Sequence, residues 1–461
     1  MTSSIDLVIV GAGPAGMAAA AIANELSINT VVLDDQPKAG GQIYRNLGAS
    51  TVQQRTILGS SYTNGETLLP TKGHSTINWV HTASVWQIDQ SGTVFYTGPK
   101  GSAPIKPKQV ILANGALERP MPFPGWTLPG VMTAGAVQIA LKSAALVPDG
   151  KLVLAGSGPL LYLLAIQLVK AGADVNAIVD TTPRANSISA ASSLLGMARS
   201  WRLLREGIGL LAQLRQHKIK HYRYCTALSV AGDQQVQGIR FTQAGNAKEL
   251  SCDILAIHNG VVPNVQLSRQ LGLKHDWQEA QRCWAPRIHN ITQTELPWLH
   301  IAGDGAGILG AEAAALQGRL AAFNAARALG ANLPITADQA IKKDSRALAR
   351  LTAARRFIDK LYAPADEFLT PANETVVCRC EETTAGEIRE FVAMGCTGPN
   401  QAKAFGRPGM GPCQGRYCGL TVSEIIAKER GVPIQQVGYY RIRPPIKPIT
   451  LAELAALPED N

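Results

Sequence analysis

Aromatic side chains make up only 5% of this 461-residue chain, and charged ones only 17%. With hydrophobic residues at 46%, so little charge excludes a disordered polyelectrolyte and points to two or three folded domains with sizeable cores. Scarce aromatics beside 44 glycines suit tightly packed α/β layers in which backbone approaches ligands. No apolar run reaches the ~20 residues that span a bilayer. Ile5 to Val10 is apolar, but it enters a glycine loop directly, without the basic leader and cleavage site of a signal peptide. C-x-x-C is absent too, which excludes a dithiol relay built on that motif. The eight cysteines form no framework of the kind found in small secreted domains, so a reducing cytoplasm is the expected compartment. The net charge of +10 is dispersed over small knots such as "KIKHYRY" and "RIRPPIKP". Without an aromatic-studded basic stripe it argues for anionic cofactors or an acidic partner subunit, and against nucleic acid.

Among the features present, the opening stretch is the most informative. "IDLVIV" reads as a strand buried on both faces, "GAGPAG" as a turn, "MAAAAIANEL" as a helix and "TVVLD" as a second strand. Gly11 permits the tight turn, Gly13 admits a pyrophosphate, and Gly16 lets the helix pack closely. Pro14 and Ala15 open that helix, whose N-terminus favours the diphosphate. Asp34, ending the second strand, is placed for the ribose hydroxyls. Further on, "KQVILANGA" is another buried strand, and "ERPMPFPGWTLPG" an extended connector.

The pattern recurs at 151 in "KLVLAGSGPLL", but Leu161 stands where the third small residue belongs. Asp180 still ends the next strand, so three readings stay open: a working NAD(P)H site, a bound regulatory or structural nucleotide (NAD or ATP), and a relic of the fold. Helix is expected over 185–217 and 336–362, and short strands over 220–257. From 373 the composition turns to Cys, Gly and Pro. Cys378 and Cys380 form a C-x-C pair, Cys413 and Cys418 a C-x4-C pair, and four such thiolates can hold a [2Fe–2S] cluster or a zinc ion. Gly409, Gly411, Gly415 and Gly419 would turn backbone amides toward sulfur. Thr384 is a candidate helix N-cap, and Cys225, Cys252, Cys283 and Cys396 read as buried thiols. The histidines are scattered, and His258 and His300 read as core or loop residues.

"IAGDGAG", with Gly303 and Asp304, resembles the second FAD motif of two-dinucleotide-binding-domain flavoproteins such as thioredoxin reductase. "VILANGALERP", with Ala113 and Gly115, resembles their intermediate strand motif, and "GGQIYR", with Gly41 and Gln42, the loop that reaches toward the flavin. "CRCEE…GPCQGRYCG" resembles the bacterioferritin-associated-ferredoxin-like [2Fe–2S] domain in its flavoprotein-fused variant. The whole chain is similar to the alpha subunit of heteromeric amine dehydrogenases, a group including opine oxidases, D-hydroxyproline and proline dehydrogenases, and hydrogen cyanide synthase. That resemblance implies an α/β two-dinucleotide-binding-domain fold with a small C-terminal α-helical [2Fe–2S] domain. The divisions expected are 1–120 with 290–335 for FAD, 121–289 for the second nucleotide-type domain, a linker over 336–372, the cluster domain over 373–438, and a Pro-rich tail over 439–461. The implied cofactors are FAD, [2Fe–2S] and, in some members, FMN at a subunit interface. The implied partners are a D-amino-acid-oxidase-like beta subunit, in some assemblies a small ferredoxin-like gamma subunit, and a quinone or other acceptor, with the complex in the cytoplasm or at the inner face of the membrane. The implied role is an electron-transfer subunit that passes electrons from oxidation of a secondary amine or amino acid (opine, hydroxyproline or proline type) through flavin and [2Fe–2S] to the acceptor. Three other functions fit the same residues: a self-contained NAD(P)H-dependent reductase, a hydrogen cyanide synthase subunit oxidising glycine, and a nucleotide-binding scaffold with structural zinc.

Overall fold

The computed structural model describes residues 4–70, 76–193 and 201–457. The strand–turn–helix pattern at the start builds a five-stranded parallel sheet. Its order is Leu299–Ile301, Gln109–Leu112, Leu7–Val10, Thr30–Asp34 and Ile77–His81. Leu7–Val10 and Gln109–Leu112 are buried along their whole length, because both faces of a parallel sheet are covered. A second parallel sheet repeats the design in the order Lys220–Tyr222, Asp174–Asp180, Lys151–Ser157, Ile254–Asn259 and Val131–Thr133. A three-stranded antiparallel meander accompanies each, over Ser84–Ile105 and Thr226–Ser251. Two dinucleotide-type units in one chain bear out the expected fold class.

Helices Pro14–Glu25 and Ala311–Ala328 pack together over the first sheet, and alanines on both lie in one apolar core. Small residues set their separation. A Cβ on Gly318 would sit 2.0 Å from the Ala15 carbonyl oxygen, and one on Gly303 2.9 Å from the Ala15 Cβ. The proline-rich connector is extended only as far as Phe123; from Pro124 to Gly130 it folds into successive turns, and it is no solvent-exposed strap. Met121, Phe123 and Trp126 are buried against the second sheet, and the Trp126 indole donates 2.7 Å to the Val376 carbonyl beside the first cysteine pair.

Helix occupies Arg184–Ala191 and Trp201–Gln216; the part of the expected helical stretch over 194–200 lies outside the described residues. Ala337–Leu361 is one long helix. The cysteine-bearing region forms a small hairpin, Val376–Cys378 with Thr383–Thr384, and helices Ala385–Ala393, Pro399–Gly406 and Gly419–Arg430. Thr384 caps the first of these, with Glu387 returning the bond to complete a capping box. This region shares one apolar cluster with the outer face of the first sheet, Val8 and Val110 joining Cys418, Val422 and Ile425. The tail runs along the first unit: Ile446 donates its N–H to the Trp86 carbonyl, and Lys447 pairs with Asp35 at 2.5 Å. It closes in a short helix, Leu451–Ala455, which the proline-rich sequence did not suggest.

Gly318→Val should lower stability by about 1–3 kcal/mol, because its side chain meets rigid backbone. Gly207→Ala, in an exposed helix with open space around it, should be neutral or slightly stabilising. Denaturant midpoints of the two variants check the contrast.

Candidate functional site

The first glycine loop is shaped by close backbone contact. Gly11 has φ +104°, and a Cβ there would lie 2.4 Å from the Ala113 carbonyl oxygen; a Cβ on Gly16 would lie 1.8 Å from the Gly11 carbonyl oxygen. Around Gly13 the nearest atom to such a Cβ is the Gly41 Cα at 3.7 Å, so the "GGQ" loop lies directly on the turn. Gly40 ties that loop down by donating its N–H to the Ala12 carbonyl at 2.8 Å. No side chain caps the helix that starts at Pro14, which leaves its first amides available for an anion. Asp34 is buried, and its carboxylate accepts from the N–H groups of Ala12 at 2.5 Å and Gln36 at 2.8 Å. Burial raises its pKa against those two bonds. The expected ribose acceptor is therefore also the brace of the glycine loop.

The other motifs converge on this loop. Ala113 touches Gly11 and Gly303 touches Ala15, while Gly305 sits against Asn114 and Gly115. Asp304 accepts from the N–H groups of Leu309 and Gly310 at 2.9 and 3.0 Å through one oxygen. Gln42 is exposed; its side chain takes a bond from Arg45, and its carbonyl one from Lys142 Nζ at 3.2 Å. Lys142 is itself buried, with no acidic partner among the described residues, and burial pulls it down to about 7. Four sequence-remote segments thus surround one helix N-terminus, an arrangement that fits the diphosphate of a dinucleotide.

The second fingerprint is closed from within. Asp180 is buried, and its carboxylate accepts from the Tyr162 hydroxyl at 2.6 Å and the Thr182 N–H at 2.9 Å, with His221 Nε2 at 3.2 Å. Tyr162 lies one residue after the misplaced Leu161, which is wholly buried. Beside Gly158 stands the His258 ring, 3.3 Å from where a Cβ would be, with its Nδ1 2.6 Å from Glu118 Oε1. The spacing alone leaves Asp180 open to an adenine nucleotide; in the fold its carboxylate carries two side chains, Tyr162 and His221, where Asp34 carries only backbone N–H groups.

The four cysteines of the C-terminal region meet as two pairs. Cys378 and Cys418 share a hydrogen bond that pulls Cys378 down to about 6 and pushes Cys418 up. Cys380 bonds to Cys413 in the same way and is held up, first by burial. Cys378 and Cys418 are buried, Cys413 is half-buried and Cys380 exposed. Among the described residues, no three His, Cys, Asp or Glu side chains converge as a site for one metal ion. The glycines here do less sulfur bonding than expected. The Gly409 amide contributes a bond to Cys378, and Gly411 makes room for the Cys380 Cβ. Gly415 and Gly419, however, have no Cβ because the rings of Tyr440 and Tyr439 occupy that space. Cys396 is buried, as are Cys225, Cys252 and Cys283, and its thiol donates to the Gly398 carbonyl.

Sequence reasoning missed Tyr162, Lys142, the Glu118–His258 pair and the Tyr439–Tyr440 pair. Only the tyrosines carried a signal, two adjacent aromatics in a chain poor in them. The others are defined by what they meet across the fold.

Residues 5–330 match the pyridine nucleotide-disulphide oxidoreductase family, and residues 372–457 the sarcosine oxidase A3 domain. The A subunit of opine oxidase from Agrobacterium tumefaciens (strain Ach5) is 42% identical, the match covering 98% of this chain and 92% of that one. The HcnB subunit of hydrogen cyanide synthase from Pseudomonas protegens is 31% identical over 97% of this chain and 96% of its own. Among solved structures, L-proline dehydrogenase from P. horikoshii superposes with a TM-score of 0.70, at 18% identity, over 98% of this chain and 79% of that one. T. acidophilum thioredoxin reductase gives 0.50 at 19% identity over 69% and 97% of the two chains. No helix among the described residues is long and apolar enough to cross a membrane. The chain belongs to the pyridine nucleotide-disulphide oxidoreductase family, whose fold implies FAD binding, and within it to the sarcosine-oxidase-like alpha subunits, among them the A subunits of opine oxidases.

Proposed function

We propose that this chain is the electron-relay alpha subunit of a heteromeric flavin-dependent dehydrogenase that oxidises a secondary amine or amino acid of the opine, hydroxyproline or proline type. The observation that carries the reading is the meeting of Cys378 with Cys418 and of Cys380 with Cys413 on the same body as the glycine loop. Four cysteines brought together from two loops suit a binuclear cluster, in which each iron takes two thiolates, or one zinc ion; the flavoprotein body they sit on favours the redox cluster. When bound, FAD would supply a two-electron carrier and [2Fe–2S] a one-electron carrier.

Gly11, Gly13, Pro14, Ala15 and Gly16 would hold the FAD diphosphate at the helix N-terminus, with Asp34 beside the ribose. Gly303 and Asp304 would line the far part of the cofactor, and Gly41, Ala113 and Gly115 would close around it. Cys378, Cys380, Cys413 and Cys418 would hold the cluster as thiolates; the hydrogen bond that favours ionisation of Cys378 prepares one of them. No proton-transfer residue is required of a relay. The amine would be oxidised on a D-amino-acid-oxidase-like beta subunit, and the electrons would leave to a quinone or another carrier. The closed second fingerprint favours this reading over a self-contained NAD(P)H reductase, and the 42% identity to the opine oxidase polypeptide favours it over glycine oxidation to cyanide.

Cys413→Ser should lose iron and electron transfer to an external acceptor while keeping its flavin, as measured by iron analysis and the visible spectrum. Full turnover in that variant would sink the relay. NADH should leave the flavin absorbance of the purified protein unchanged in a stopped-flow mixing experiment, because Tyr162 and His221 occupy Asp180; rapid bleaching would restore the reductase reading.

A further inference from the structure

The short helix Gln266–Gln270 is docked against the loop that carries Cys413 and Cys418. Gln266 Nε2 donates to the Gln414 carbonyl at 3.3 Å. One turn along stands Arg269. Its guanidinium carbon lies 4.6 Å from the centre of the Tyr439 ring and 5.1 Å from that of Trp284, a sandwich between two aromatic faces. Nε and Nη2 are sealed from solvent and have no hydrogen-bond partner among the described residues. The carboxylates that serve other arginines nearby in sequence are taken: Asp276 pairs with Arg287, and Glu279 and Glu424 with Arg282. Burial lowers Arg269 to about 10, so it stays cationic at neutral pH, and the neighbouring His275 is held neutral by burial and by Arg269 itself.

Guanidinium nitrogens sealed from water without a counter-charge are costly to keep. What lies beyond Tyr439 is the cysteine loop. The Tyr439 hydroxyl donates to the Gly415 carbonyl at 3.3 Å, and Tyr439 feels the charges of Arg269, Cys418 and Cys413 together. The adjacent Tyr440 repeats the device. Its hydroxyl lies 3.8 Å from the Cys418 sulfur, and Lys403 Nζ sits 4.7 Å from the centre of its ring. Lys403 and Arg269 are both partly exposed; what sets Arg269 apart is that two of its nitrogens are sealed from water and have no partner among the described residues.

We infer that Arg269, partly exposed but with two guanidinium nitrogens sealed from water, is the counter-cation of the four-cysteine site, acting through Tyr439 as a positioning residue that raises the reduction potential of the metal centre bound there. This rests on the cluster reading above. Reduction adds negative charge to the centre, and a fixed positive charge in a low-dielectric setting favours the reduced form over the oxidised one. Arg269 therefore sets how readily electrons enter, without touching a ligand.

The test is a redox titration, followed by electron paramagnetic resonance, of the protein purified with its native metal, alongside iron and acid-labile sulfide analysis. Arg269→Gln should shift the midpoint to a lower potential with iron and sulfide unchanged, while Arg269→Lys, which keeps the charge, should stay near wild type. An unchanged midpoint in fully loaded Arg269→Gln would overturn the inference. Should the glutamine variant fail to hold iron, the lysine variant decides: iron at the wild-type midpoint supports a charge role, and an equal loss of iron overturns it in favour of packing. Wild-type protein containing zinc, or lacking iron and sulfide, would instead remove the cluster reading itself.

Discussion

The structure depends on a contact between backbones at the N-terminus of the first helix. Ala15 offers its carbonyl to Gly318 and its Cβ to Gly303, while Gly16 fits over the Gly11 carbonyl. Dispersion between close-packed small groups, with no side chain to intervene, holds the beginning and the end of the nucleotide unit together. Because those glycines leave no room for a Cβ, the turn and the "IAGDGAG" loop present uncovered amides on one side of the helix. The same constraint that packs the core thus creates the place where a diphosphate can sit.

A different constraint governs the second unit. It has the same strand order and the same glycine turn, yet its polar groups satisfy one another. Tyr162 and His221 hold Asp180, and Glu118 holds His258 beside Gly158. A buried carboxylate must have partners, and here two side chains supply them beside a backbone N–H. Two units of one fold type therefore differ in what meets the acidic residue: backbone N–H groups alone at Asp34, and the side chains of Tyr162 and His221 as well at Asp180.

The cysteine region is joined to this body in two ways. An apolar cluster continuous with the first sheet fixes its position, and the Trp126 indole and the Gln266 amide pin its two cysteine-bearing loops. Rigid attachment suits a relay, because the distance between carriers must not vary. The tyrosine pair completes the join: each ring fills the space left by a glycine in the cysteine loop, and each carries a cation on its face.

Much of this was legible in the amino-acid order. Gly11, Gly13, Gly16 and Asp34 were readable because a dinucleotide turn is a local event, settled by residues within one strand–turn–helix unit. The pairs Cys378–Cys380 and Cys413–Cys418 stood out because thiols at a short spacing among glycines form a local pattern. Leu161 announced that the second fingerprint departs from its type, but not how. What the tertiary structure alone decided were the partnerships across the fold: that Cys378 meets Cys418, that the Tyr162 hydroxyl donates to Asp180, and that Arg269 faces the cysteine loop through Tyr439. Each joins residues far apart in the chain, or depends on which side chain reaches a buried polar group first. Such contacts follow from packing and desolvation in three dimensions, and no local spacing encodes them.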